Sequence, residues 1–173
     1  MNSASPDHRL KRAEIVESSL ATILHHLDTA PLVGKRIFIT GGTGFFGLWL
    51  LAALSQLNRQ GAGIGITILS RNPQRFLAAH PQWADCSWLT FIGGNVWNFD
   101  FPEAPFDLLI HAATDTSATA NRLSIFDDIV VGTRRVLDFA VRSRVKRVLL
   151  TSSGAVYGPQ PPEVSHIAED ARF

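Results

Sequence analysis

The stretch Thr40-Gly41-Gly42-Thr43-Gly44-Phe45-Phe46-Gly47 constrains this chain more than any other. It follows Arg36-Ile37-Phe38-Ile39-Thr40, whose β-branched and aromatic bias predicts a short strand. It leads into a strongly apolar segment, residues 48 to about 58, which predicts a helix closed by Gly61. Both Gly42-x-Gly44-x-x-Gly47 and Gly41-x-x-Gly44-x-x-Gly47 are present. A tight turn leaving a strand needs residues that accept positive φ. A pyrophosphate that approaches bare main chain needs side chains out of the way, and the next helix then aims its unpaired N–H groups at the anion. Gly47 lets that helix lie close to the sheet. The turn therefore predicts a dinucleotide site on Gly41, Thr43, Gly44, Phe45, Phe46 and Gly47. A P-loop is disfavoured because no Gly-Lys-Ser/Thr follows. From the turn alone, a purely structural glycine turn and a methyltransferase both stay open.

The rest of the chain extends the pattern. Further strands are expected at 65–70, 88–92, 106–111 and 147–151. Helices are expected from the Asn72-Pro73 cap to about 79, and over about 125–141. Strands alternating with helices imply parallel pairing through crossovers. Short, nearly all-apolar strands imply helices on both faces of the sheet. The expected fold is α/β, a doubly wound parallel sheet of the Rossmann kind over residues 34–173. Residues 1–33 read as an appended helix: Leu10, Ala13, Val16, Leu20, Leu24 and Leu27 recur three and four apart, and Ser5-Pro6 suits its start. His25 and His26 are adjacent on it and point apart, which argues against a shared metal.

Composition narrows the function classes. The 173 residues are 46% hydrophobic and 18% charged, as in a globular domain. Sixteen Lys and Arg against fifteen Asp and Glu leave +1, which gives no electrostatic case for a nucleic-acid partner. Arg134, Arg135, Arg142, Arg144, Lys146 and Arg147 instead read as complementing a helix C-terminus. One cysteine, Cys86, excludes a disulfide framework and a Cys-rich metal site. The longest apolar stretch, residues 45–54, is too short to span a bilayer, and residues 1–8 lack a signal-peptide core, so a cytoplasmic protein is the expectation.

The end of the second strand bears on the cofactor. An acidic residue there would bind the ribose 2′-hydroxyl of NAD. Ser70-Arg71 stands there instead, and a hydroxyl with a guanidinium suits a 2′-phosphate better. NAD or NADP is expected, with NADP favoured, and the missing acid also weakens the methyltransferase reading.

Several segments together resemble the extended short-chain dehydrogenase/reductase family, the NAD-dependent nucleotide-sugar epimerases and dehydratases. The glycine turn looks like that family's Thr-Gly-x-x-Gly-x-x-Gly. Gly94-Asn95-Val96 resembles its Gly-Asp-Val segment beside the adenine, with Asn95 in place of Asp. His111-Ala112-Ala113 is similar to its His-Ala-Ala strand end beside the cofactor. Val131-Gly132-Thr133 resembles part of Asn-Val-x-Gly-Thr, with Ile129 in the Asn position. Residues 151–158, Thr-Ser-Ser-Gly-Ala-Val-Tyr-Gly, look like its Ser-Ser-x-x-Val-Tyr-Gly.

The resemblance implies cofactor contacts from Ser70, Arg71, Asn95, Val96, His111, Ala112 and Ala113. It implies that Ser153, four residues before Tyr157, is catalytic and holds the sugar oxygen. His111 reads more as a packed strand-end residue than as a proton carrier. The resemblance also implies that Tyr157, as part of the Val-Tyr-Gly segment, serves structure near the site and is not the acid/base, whose Tyr-x-x-x-Lys pair would fall about twenty residues later. That pair and the sugar-binding domain are expected beyond Phe173, so this chain would carry the cofactor half alone. Gly154 and Ala155 stand where dehydratases carry Asp and Glu, which points to an epimerase or reductase. A nucleotide sugar as substrate and a homodimer through the helix near 125–141 are further implications. Trp83, Trp88 and Trp97 are expected in core and adenine-side packing. A non-catalytic NAD(P)-binding regulator and a reductase of a small carbonyl compound remain as alternatives.

Overall fold

Five short apolar runs become parallel strands in the computed structural model, which describes residues 6–114 and 122–171. The elements are α1 (Pro6–His25), β1 (Arg36–Thr40), α2 (Phe45–Arg59), β2 (Gly65–Ser70), α3 (Pro73–Ala79), β3 (Leu89–Gly93), β4 (Leu108–His111), α4 (Arg122–Asp127), α5 (Thr133–Arg142) and β5 (Arg147–Leu150). The sheet order is β3-β2-β1-β4-β5, with every pairing parallel. β1 is thus the central strand, and the order reverses between it and β4. That reversal opens a crevice at the carboxyl ends of the strands, where α/β sheets bind ligands.

Side chains alternate across the sheet with period two. Ile37 and Ile39 of β1, Ile66 and Ile68 of β2, and Ile110 of β4 pack with Leu51, Leu54 and Leu57 of α2. Phe38, Leu69 and Leu109 point the other way, onto Val136, Phe139 and Ala140 of α5. Phe38 is fully buried, with ring centroids of Phe139, Phe106 and Phe99 at 4.7, 5.4 and 5.8 Å. The Phe139 ring is tilted, the Phe106 ring edge-on and the Phe99 ring stacked against it. Asn58 fastens the end of α2 to the start of β2: its amide donates to the Ile64 carbonyl at 2.8 Å and accepts from the Ile64 N–H at 2.7 Å. At the opposite end of the sheet from the crevice, Asp107 accepts from the Arg36 N–H at 3.1 Å, and Lys146 lies 3.6 Å away.

α1 rests on α2 through buried Leu20 and half-buried Leu24. The Glu17–Arg59 pair at 3.7 Å is too exposed to add much. Ser5, the expected start signal, lies outside the described residues. No helix among the described residues is long and apolar enough to cross a membrane.

Four expectations are corrected. The helix expected over 125–141 runs unbroken but is not uniformly α: a π turn, Asp128–Gly132, joins α4 to α5. A π turn inserts one extra residue, so everything after it is rotated by about 100° relative to a straight α-helix. Gly132 sits there against Val96, where a Cβ would approach the Val96 Cγ2 to 2.6 Å. β5 is not covered on both faces. It pairs with β4 on one side only, and Leu149 and Leu150 are exposed. Trp83 and Trp88 pack beside the α2 core as expected, whereas Trp97 is 41% exposed. One member of the basic cluster, Arg135, serves aromatic packing at the start of α5, whereas Arg142 stands in the last turn of α5 as expected. Arg135 donates to the Phe99 carbonyl at 2.6 Å and lies over the Phe101 ring at 4.7 Å, and the Arg142 guanidinium also lies over that ring, at 5.4 Å.

Candidate functional site

β1 delivers the chain into the crevice, and the glycine turn shapes its floor. Gly41 has φ +73°, and a Cβ there would collide with the Ala112 carbonyl at the end of β4. The turn closes with the Gly44 N–H donating to the Gly41 carbonyl at 3.0 Å. Gly44 is the N-cap of α2 and offers no side-chain cap, so the first N–H groups of this 15-residue helix stay available to an anion. Gly47 is buried beneath, where a Cβ would collide with the Gly42 backbone. The only way to bring α2 this close to the turn is to have no side chain at either point.

The crevice is one groove with two lobes. A narrow lobe of about 160 Å³ is lined by Gly41, Thr43, Gly44, Ser70, Arg71, Asn95, Val96, Ala112 and Ala113, together with Leu69, Gly94 and Thr114. A wider lobe of about 720 Å³ shares Gly41, Gly44, Ala112, Ala113 and Thr114 and adds Phe45, Phe46, His111, Ile129, Thr133, Leu150, Thr151, Ser152 and Ser153. The sequence-nominated residues thus come together around a single groove, apart from Gly47, which supports it from below. Phe45 and Phe46 are 72% and 69% exposed at the wide lobe's mouth, with rings edge to face at 5.4 Å. Ser153 caps a 3₁₀ turn, Gly154–Tyr157, by accepting from the Ala155 N–H at 3.2 Å.

His111 is held on both sides. Its Nδ1 lies 2.6 Å from the Thr40 Oγ1 and its Nε2 lies 3.0 Å from the Thr133 Oγ1. Thr40 also accepts from the Ala113 N–H at 3.3 Å. A neutral imidazole satisfies this arrangement, one ring nitrogen donating to a hydroxyl and the other accepting from one. The ring therefore ties β1, β4 and α5 together in the wall of the wide lobe. Neither Thr40 nor Thr133 stood out in the sequence as a site residue. The signal was the strand order itself, because pairing β1 with β4 sets Thr40 opposite His111.

Burial pushes the His111 pKa below its ordinary value. In the unfolded chain the ring takes up its proton near pH 6.5, and in the folded chain only at lower pH. The stability from the neutral ring is therefore complete above about pH 6.5 and is lost as the pH falls through the depressed folded value. His111→Gln, which keeps an amide donor and acceptor but cannot titrate, is expected to flatten the decline of the thermal midpoint between pH 7.5 and 5. Parallel profiles for the variant and the parent chain would refute this.

A family model described as the NAD dependent epimerase/dehydratase family matches residues 37–172. A dTDP-L-rhamnose 4-epimerase of Burkholderia thailandensis is 30% identical over 138 residues, which is 72% of this chain and 36% of that protein. A dTDP-glucose 4,6-dehydratase of Bacillus anthracis, solved with NAD, superposes with a TM-score of 0.62 at 17% identity, over 80% of this chain and 44% of that one. A UDP-glucose-4-epimerase of Stenotrophomonas maltophila, solved with NAD and formylated UDP-arabinopyranose, gives 0.59 at 21% identity, over 79% and 42%. The solved structures share the fold, and this chain spans less than half the length of each of these three proteins.

Proposed function

The chain belongs to the NAD-dependent epimerase/dehydratase family, and from that premise we propose that it forms the nicotinamide-dinucleotide-binding part of an enzyme acting on nucleotide-linked sugars. The observation that carries this reading is the bare floor of the groove. Main chain from Gly41 and Ala112 meets where any Cβ would fill the space, and the uncapped start of α2 opens onto it. Such a cradle fits a diphosphate.

Each residue then takes a role. The amides at the start of α2 hold the diphosphate, with Thr43 beside them. Asn95 and Val96 face the adenine, and the Asn95 amide oxygen accepts from its amino group. Phe45, Phe46, Ala112 and Ala113 border the nicotinamide end of the groove, in the wide lobe. A bound nicotinamide dinucleotide would supply the hydride acceptor and donor for a sugar carbon. Ser153 already accepts one hydrogen bond, so its hydroxyl proton remains to be donated to the sugar oxygen. His111 is a positioning residue: its ring is committed to two threonines. Gly154 and Ala155 offer no carboxyl for expelling water, which favours epimerase or reductase chemistry over dehydration. The solved dehydratase and epimerase, which contain NAD, support the cofactor class. A second copy of the chain is the partner we infer, through α4, α5 and the π turn between them, where Phe126, Val130, Leu137 and Val141 are exposed.

The test is a titration of the chain with NADH and NADPH, followed by nicotinamide fluorescence. Saturable binding of at least one of them below about 1 mM is expected. Failure of both dinucleotides to saturate at millimolar concentration overturns the proposal.

A further inference from the structure

We propose that the cavity at the amino end of the sheet, opposite the dinucleotide groove, is a second binding site, which takes a small organic acid with an apolar body and holds it through Arg147 and Lys35. It is independent of the dinucleotide reading above, which uses none of these residues.

The cavity, of about 310 Å³, lies between the turn that joins α1 to β1 and the starts of β4 and β5. Pockets for small molecules run from roughly 300 Å³ upward. Pro31, Leu32 and Leu108 give it apolar walls. Lys35, Lys146 and Arg147 bring positive charge to it, and Asp107 brings the one negative charge. Asp107 is already committed. One carboxylate oxygen accepts from the Arg36 N–H at 3.1 Å, and the other lies 3.6 Å from the Lys146 ammonium. The Arg36 N–H holds its pKa below the ordinary value, and Lys35 and Lys146 act in the same direction, so the carboxylate is charged at neutral pH. The cavity therefore keeps an excess of positive charge. Arg147 makes no ion pair and no side-chain hydrogen bond among the described residues. In register it stands beside Leu108, so its side chain leaves the same face of the sheet as that apolar wall.

The walls are held by main chain. The Leu32 N–H donates to the Thr29 carbonyl at 3.0 Å and the Lys35 N–H to the Leu32 carbonyl at 3.1 Å, which curls the turn. The Gly34 N–H donates to the Ala62 carbonyl at 2.8 Å and anchors the turn to the loop before β2. The Asp107 N–H donates to the Arg36 carbonyl at 2.8 Å and the Lys146 N–H to the Asp107 carbonyl at 3.3 Å, so the starts of β1, β4 and β5 are fixed side by side. A pocket formed in advance spares its ligand the cost of ordering the walls. The chemistry of the ligand follows from the two kinds of wall. The planar fork of Arg147 takes a carboxylate through paired hydrogen bonds, with Lys35 as a second charge. A bare inorganic anion would leave Pro31, Leu32 and Leu108 facing water, whereas a hydrocarbon body on the acid covers them. Arg147 is exposed, so its replacement leaves the packing of the core untouched.

Benzoate titrated into the chain and followed by calorimetry should saturate at millimolar concentration. Benzyl alcohol has the same body without the charge, and inorganic phosphate has charge without the body; each should bind about tenfold more weakly or worse. This comparison needs no variant. Arg147→Gln should lower benzoate affinity about tenfold, and Lys35→Gln should give a smaller loss of the same sign. Added NADH should leave benzoate affinity unchanged, because the two sites lie at opposite ends of the strands. Failure of benzoate to saturate would overturn the site. So would phosphate binding as tightly as benzoate, which marks surface charge only, or affinity unmoved by Arg147→Gln. Displacement of benzoate by NADH would place the acid in the dinucleotide groove and overturn the site while leaving the dinucleotide reading intact.

Discussion

Gly41→Val is expected to abolish dinucleotide binding and to lower the thermal midpoint of the chain by roughly 6–12 °C. Two costs add. Gly41 has φ +73°, a conformation that costs an L-residue about 1–2 kcal/mol. The new side chain would also strike the Ala112 carbonyl, and overpacking of a close-packed site costs about 1–3 kcal/mol. Together these come to about 3 kcal/mol, and a domain of this size loses about 2–4 °C per kcal/mol. Relief by moving the turn would pull the start of α2 away from β4 and spread the amides that cradle the anion. Circular dichroism melts and NADH fluorescence read the two effects separately. A variant with an unchanged midpoint and unchanged binding would show that main chain does not form the floor of the groove.

Phe38→Ala should cost still more stability, about 3–5 kcal/mol, the range for removing a large buried aromatic. Phe38 is wholly buried at the centre of β1, with Phe139, Phe106 and Phe99 around it. These three come from α5 and from the loops before β4, and no neighbouring chain segment can collapse into the space without breaking strand register. Phe38→Leu keeps much of the volume and should lose less than half as much. Urea unfolding of the three chains would rank them, and the cavity account fails if the alanine and leucine variants unfold at the same midpoint.

Much of this molecule was legible in its sequence, because the signals were local. A strand that ends in Thr40 and runs into spaced glycines admits few geometries, although α2 starts at Phe45, three residues before the expected position, because its first turn is formed by Phe45, Phe46 and Gly47 themselves. Asn72-Pro73 announces α3, and Asn72 performs that cap. The strand count and their parallel sense follow from alternation alone. These features depend on backbone torsions and hydrogen bonds made within a few residues, so the amino-acid types report them directly.

What the tertiary structure decided lies between residues far apart in the chain. His111 is tied to Thr40 across 71 positions and to Thr133 across 22, and neither threonine is distinctive until the sheet order makes them neighbours. Arg135 reads as a surface charge but reaches Phe99 from 36 positions away. The π turn ends at Gly132, which lies against Val96 from 36 positions away. Lys35, Asp107 and Arg147 meet around one cavity only because the sheet sets the starts of β1, β4 and β5 side by side. Local propensity sets each element, but a side chain's partner is chosen by which faces the packed sheet and helices bring together, and that choice exists only once the fold has formed.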